Sequence, residues 1–514
     1  MPIYKQSDIT NIFWAMNYGF KVGRDPMGIQ NSSIATYACL LPGLTNLTGH
    51  IRYYSLYCWL LKEYDKLEIQ HKASILQYNF IRRAELAIAF IMKDQNINSV
   101  VGANYVSEAS NKNPDNTIIN LKEGADFESK DKYWSFQKGA LGQYYLGSLI
   151  YLNLVKMEEE RFYLRDKGKE LAEAVCKSIK EPVRNLFIKC ITNGVLTFEE
   201  IDLLMPLALN NITVYSEEWG MLNKLLVTAD SNGNNMRADT IKLMLHDINK
   251  GVDYKHFVEH RFESYIKGEQ SDVSFGWYFY YLCEALHYSI ESILCLILNK
   301  IDSMHNPPID VFLDTTTKDI LKYLDKEQEI HSTIESWHKD CKENITERWQ
   351  TVKEKIKNEE FSEAVAVSIH LMLSIYNEYE LNKDKILRFE RNYNLLFQRG
   401  ILSECLKTYL SQYFSLSIPQ FISTIIKQVM NEHTIVAVSK MGNNNMDLRK
   451  FIFEDGCLIL VELRYPNETN PRISSLYNFL HDMKYLTYNT KDMSTKPCNM
   501  LTEIAHKYLN ENKK

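Results

Sequence analysis

The chain has 514 residues, 45% of them apolar and 24% charged, with 59 Lys and Arg against 65 Asp and Glu for a formal charge of −6. That length exceeds what one hydrophobic core usually supports, and the composition excludes a largely disordered chain. The acidic balance argues against a non-specific coat for DNA or for an anionic membrane, but it leaves room for a local basic face. Ten cysteines are scattered without a CxxC pair, the pattern of reduced thiols in a cytosolic protein. The first residues, MPIYKQSDITNIFW, lack the basic start and apolar run of a signal peptide. The longest apolar runs, such as 290–298, fall short of a bilayer span. A cytoplasmic location with no membrane partner is the expectation.

In chain order, five segments are expected within a mainly α, multidomain fold. Residues 1–120 read as an N-terminal helical domain. Turns at Asp25–Gly28 and Pro42–Gly43 precede a helix in which Tyr53, Leu56, Tyr57 and Leu60 share one face, and a second helix carries Arg82, Arg83 and Glu85 into an apolar run. Residues 125–182 order as helix, helix, short charged hairpin (KMEEERFYL) and a closing helix capped by Asp166, a winged-helix-like module. Residues 183–306 form a helical domain. It opens with a capping box at Thr197 and Glu200, continues past an exposed loop at 232–235, and ends in an aromatic cluster, Phe275 to Tyr281, that leads into a buried helix. Pro307 and Pro308 mark a boundary, after which 307–432 is a charged helical region whose 322–360 stretch suggests one long solvated helix or a helix pair. Residues 433–514 change period. HTIVAVSKMG, RKFIFEDG and CLILVELRY read as strands separated by turns at 442–445 and 455–456, then a helix and a short strand follow: a small α/β domain or second winged-helix-like module.

Several constellations invite a chemical reading. Pro42, Gly43, Thr45, Thr48, Arg52, Tyr53, Tyr54 and Trp59 admit two: Arg52 binds a phosphate or carboxylate while the aromatics stack on a base, or Arg52 holds the preceding turn while the aromatics fill the core. In the 125–182 module, a helix near Gln143 to Tyr151 would enter the major groove, and Lys138, Lys156, Arg161, Arg165, Lys167 and Lys169 would touch phosphates. Glu158, Glu159 and Glu160 occupy the same hairpin and oppose that contact. His256 and His260 have helical spacing for a shared metal, yet HFVEH is not the HExxH of a metalloprotease. Ser135 and Ser148 are outside any GxSxG, and no P-loop is present. Glu462 ends a run like the second strand of restriction-type nucleases, with Arg464 where a Lys is needed. No catalytic site, cofactor or metal is implied.

The stretch from Asp25 to Trp59, with LLPGLTNLTGHIRYYSLYCW, resembles the start of a prokaryotic family carrying LLPGxTNxTxxxRYYxxYxW. The segment from Gly139 to Ala174 is similar to its later YYxxxLxxLGL and TxxGxxLAxAF stretches. Lys167, Gly168, Leu171 and Ala172 are in register, and Arg165 and Asp166 stand where Thr and Asp are common. The resemblance covers about the first third and implies a place beside DNA-modification and phage-defence genes, without assigning catalytic residues. The leading expectation is a non-catalytic, DNA-associated component of an antiviral defence or DNA-processing system, with double-stranded DNA and proteins of the same operon as partners. A protein-binding scaffold and an enzyme assembled from distant residues are the alternatives.

Overall fold

The structure is a computed structural model that describes residues 25–511 apart from 71–74, 96–98, 113–116, 230–232, 342–343, 394–399, 442–447 and 490–497. Residues 1–24, Asn232 of the expected loop and the expected turn at 442–445 lie outside the described residues. The described chain is mainly α-helical, with four two-stranded antiparallel sheets. It divides into two compact units, one of residues 1–39 and 258–471, the other of residues 40–257 and 472–514. Three of the five expected segments, 1–120, 183–306 and 433–514, are each split between the units. The linear reading assigned neighbours in sequence to one domain, whereas each unit here is closed by contacts between distant segments.

The first unit is built on the Asp272–Met304 helix, which packs against the Phe361–Asn392 helix. Its aromatic start is buried as expected, with Tyr281 lying 4.3 Å from the Phe262 ring and 4.7 Å from Trp349 between ring centroids. This helix is longer than its apolar run suggested, and it is long and apolar enough to cross a membrane. Its entire apolar window is buried in the protein, so the unit uses it as a core helix. The charged 322–360 stretch is three shorter helices, Asp325–Ile330, Ile334–Asp340 and Ile345–Lys357. Thr333 and Asn344 start the second and third by accepting backbone N–H bonds, which is why the run breaks there.

The described part of HTIVAVSKMG, residues 433–441, is helical, contrary to its β-branched composition. It ends the Ile418–Met441 helix, where Val429, His433, Val436 and Lys440 are all buried, four or three residues apart. Tertiary burial of one face overrode local strand preference. The hairpin that follows is as expected: β5 (Phe451–Glu454) pairs with β6 (Cys457–Leu460), and Asp455 and Gly456 turn at positive φ of 51° and 81°. Pro307 and Pro308 add to its edge, with Leu458 N–H donating to Pro307 O (3.0 Å) and Ile309 N–H to Gly456 O (3.2 Å). An extended Pro–Pro pair has no N–H to offer but keeps both carbonyls, which suits an edge.

In the second unit the Arg52–Ile69, Gln77–Ile91 and Asp166–Ser178 helices surround the tyrosines of the LLPG segment. Tyr53, Tyr54 and Tyr57 all meet the Tyr145 ring within 5.9 Å of its centroid. Of two small sheets, one joins distant stretches, β1 (Ile118–Asn120) pairing with β4 (Val195–Thr197), and the other is local, β7 (Leu486–Asn489) pairing with β8 (Cys498–Leu501). The capping box at Thr197 forms as expected, Glu200 N–H donating to Thr197 Oγ1 (3.2 Å) and Thr197 N–H to Glu200 Oε2 (2.9 Å). The C-terminal segment belongs here because Asp482 accepts from Ile51 N–H (3.2 Å) and pairs with His50 Nδ1 (3.0 Å).

Candidate functional site

The segment 133–178 of the second unit carries most of the predicted site residues. Its first helix is positioned from beneath by Glu85, which is fully buried on the Gln77–Ile91 helix. Glu85 Oε1 accepts from Tyr57 OH (2.8 Å) and Leu141 N–H (2.8 Å), and Oε2 from Ala140 N–H (3.1 Å) and Tyr133 OH. A carboxylate on the first free N–H groups of a helix is a favourable cap. Burial pushes the Glu85 carboxyl up, and these four donors oppose the shift. Gly139 makes the approach possible, since its φ is 63° and a Cβ there would sit 2.5 Å from Glu85 Oε2. The helix opens with one π-helical turn, Leu141–Tyr145, and continues as Leu146–Tyr151. Such turns leave the regular ladder at a cost and recur at functional sites.

The hairpin follows, with β2 (Val155–Glu158) paired to β3 (Arg161–Leu164) so that Val155 faces Leu164 and Glu158 faces Arg161. Val155 and Phe162 point into the core, and the Gln77 amide closes the edge of β3 by bonding both Phe162 O (3.0 Å) and Phe162 N–H (2.9 Å). The closing helix begins at Asp166, which makes no side-chain cap, so the expected capping role is corrected. Gly168 is required because a Cβ would lie 2.1 Å from Leu154 O. At the hairpin tip Glu159 and Glu160 both hold positive φ, 47° and 67°, where glycine or asparagine is favoured. Exchanging them together (Glu159→Asn, Glu160→Gly) is expected to raise stability by about 1 kcal/mol in thermal unfolding. A loss of stability instead would show that the Glu160–Lys138 ion pair outweighs the backbone strain.

The predicted site residues do not form a basic groove. Arg52 is only 1% exposed and is held by Glu218 and by the carbonyls of Ala208 and Asn211, so in this fold it offers no face to a phosphate. The turn it was expected to hold is held by others: Arg237 Nη1 donates to Pro42 O (2.6 Å) and Tyr54 OH to Gly43 O (2.7 Å). Gln143 accepts from Trp134 Nε1 (2.7 Å). Lys138 pairs with Glu160, Lys156 with Glu158 (2.9 Å), Lys169 with Asp166 (3.1 Å), and Arg161 with Glu68 and Asp65. Arg165 bonds Asn153 Oδ1 (2.9 Å), and Lys167 is exposed with no partner among the described residues. Residues 143–169 hold five basic side chains against four acidic ones, too even a balance to attract a polyanion.

Four of the segment's exposed side chains are large and apolar. Phe136 (43%), Ile150 (43%), Tyr151 (46%) and Met157 (40%) stand open to solvent. On the helix, Gln143, Gly147, Ile150 and Tyr151 are the exposed positions, spaced as one face. A Cβ at Gly142 would lie 3.1 Å from the Phe136 ring, and Lys138 Nζ is 3.7 Å from Met157 Sδ, which links Phe136, Lys138 and Met157 across helix and hairpin. Comparison with protein-family models, with curated proteins and with solved structures returns no match.

The remaining sequence candidates are not drawn together. His256 closes a 3-10 turn, the helix begins only at Phe257, and His260 Nδ1 lies 2.8 Å from Arg261 Nη2. Among the described residues no group of three or more His, Cys, Asp or Glu is arranged to hold a metal. Glu462 lies beyond the end of β6 and pairs with Lys450. Two buried ionic clusters were missed by the sequence reading: Glu85 with its tyrosines, and Glu284, His287 and Glu291 on the Asp272–Met304 helix. Their signal was present as ionisable residues at helical spacing inside apolar runs.

Proposed function

We propose that this chain is a scaffold or adaptor whose 133–178 segment, a winged-helix-like module, docks a protein partner. The observation that carries this reading is the chemistry of its exposed side chains: Phe136, Ile150, Tyr151 and Met157 stand open to solvent, with ion-paired Lys138 beside Met157. Apolar and aromatic anchors inside a polar rim are what protein interfaces use. A base-reading helix needs Arg, Lys, Asn or Gln side chains free to meet base edges, and this face supplies only Gln143, already bonded to Trp134. The tip residues Glu158, Glu159 and Glu160 call for a partner whose apolar surface is bordered by Lys or Arg. The family resemblance directs the search to proteins of the same operon.

The test is titration of the purified chain with each purified neighbour and, separately, with duplex DNA across a salt series. One neighbour is expected to bind. Ile150→Glu or Met157→Glu should weaken that complex about 30-fold, the effect of losing a central anchor worth about 2 kcal/mol, and Lys167→Glu should leave it unchanged. DNA affinity that falls steeply with salt and is lost on Lys167→Glu with Arg165→Glu would overturn the adaptor reading in favour of the DNA-associated one. A complex indifferent to both apolar substitutions would remove the segment as the docking surface.

A further inference from the structure

The first unit contains a cavity of about 840 Å³, within the size range of small-molecule sites. Phe262, Ile266, Ile345 and Leu381 give it apolar walls, and Leu381, 79% exposed, stands at its edge. Most charges around it are matched: Lys267 with Glu263 (3.4 Å), Lys339 with Glu335 (2.9 Å) and Lys383 with Glu380 (2.9 Å). Glu378 differs. Its half-buried carboxylate accepts from Tyr278 OH (2.9 Å) and Asn382 Nδ2 (3.5 Å), and it has no cation among the described residues.

The surroundings hold that carboxylate in place. The Phe361–Asn392 helix leaves helical geometry at Asn382 (φ −115°, ψ 15°), one turn after Glu378, and the Asn382 amide bonds Tyr278 OH (3.0 Å) and Glu378 O (3.2 Å). A second polar side chain, His338, is fixed on the same lining. Asn377 Nδ2 donates to His338 O (2.8 Å) and Cys341 O (2.7 Å), which sets its amide so that Oδ1 faces His338 Nδ1 at 3.1 Å. An amide oxygen only accepts, so His338 Nδ1 carries a proton and donates to it. Stacking on Phe414, 4.6 Å between centroids, holds the ring flat. Apolar walls with an uncompensated carboxylate are complementary to an ammonium group on an apolar body.

We propose that this cavity binds a small organic ammonium ligand, with Glu378 as its counter-ion. The probe set is 4-phenylbutylammonium, 4-phenylbutanol and 4-phenylbutyrate, which share one body and differ in head group. Calorimetric titration of the full chain at pH 7 should show the ammonium binding at least tenfold tighter than the alcohol, with the carboxylate weakest. Glu378→Gln should remove that preference and leave the alcohol's affinity unchanged. Leu381→Trp, at an exposed edge position that cannot disturb the core, should weaken all binding by narrowing the cavity. Absence of saturable ammonium binding up to 10 mM, equal binding of the three probes, or a preference that survives Glu378→Gln would each overturn the proposal.

Discussion

Replacing His287 with glutamine is expected to destabilise the first unit by about 3–5 kcal/mol, the cost of leaving buried charge uncompensated. His287 and its partners Glu284 and Glu291 are each 2% exposed or less, on one face of the core helix. Its Nε2 lies 3.0 Å from Glu291 Oε1, and its Nδ1 lies 3.5 Å from Glu284 Oε1, an ion-pair contact rather than a hydrogen bond. The carboxylates are further tied by Asn467 N–H to Glu291 (3.0 Å) and by the Thr469 hydroxyl to Glu284 (2.8 Å). Chemical denaturation read by hydrogen exchange of the 272–304 helix measures the loss. A change below about 1 kcal/mol would mean the histidine is neutral and dispensable.

The same cluster sets a pH dependence. Burial alone would push His287 down, but Glu291 and Glu284 outweigh it and hold the imidazolium well above the usual histidine value. That contribution is complete below the unfolded value of 6.5 and is lost as pH rises through the raised folded one. Burial works to raise Glu284, yet His287 and Thr469 bring it below its ordinary 4.5, so its contribution is complete above 4.5 and is lost as pH falls through the lowered value. The contribution of this cluster should therefore be greatest between 4.5 and 6.5 and weaken on the alkaline side. His287→Gln should abolish that alkaline decline.

Arg52→Ala should cost the second unit a similar about 3–5 kcal/mol. The guanidinium grips Glu218 with two bonds, Nε to Oε1 (3.1 Å) and Nη2 to Oε2 (3.0 Å), and Ser55 Oγ donates to the same carboxylate (2.6 Å). Lysine cannot reproduce the fork, so Arg52→Lys is expected to lose part of that stability as well. The double variant Arg52→Met with Glu218→Leu should recover much of it, because removing both charges removes the desolvation penalty. Urea unfolding of the three variants beside the wild type checks this. Wild-type stability in Arg52→Ala would return the residue to the ligand-binding reading.

Much of the local structure was legible without coordinates. Thr197 with Glu200 announces a helix start, Asp455 with Gly456 a hairpin turn, and the aromatic run at 275–281 a buried helix, and each forms as read. These signals work because turn sterics, capping and helical periodicity act between residues within a few positions of one another. The 433–441 run was misread because β-branched composition is a weak preference that burial of one face can reverse.

Spacing carries no record of partners brought together across long stretches of chain. Arg52 meets Glu218 166 positions away, and Asn467 and Thr469 reach Glu291 and Glu284 across more than 170. The choice between a phosphate-binding and a structural Arg52 therefore belonged to the tertiary structure, as did the neutralisation of the basic residues around the β2–β3 hairpin. The division into two interleaved units was decided there too, because a charge is free or satisfied according to what the folded chain places beside it, whereas composition counts only how many charges there are.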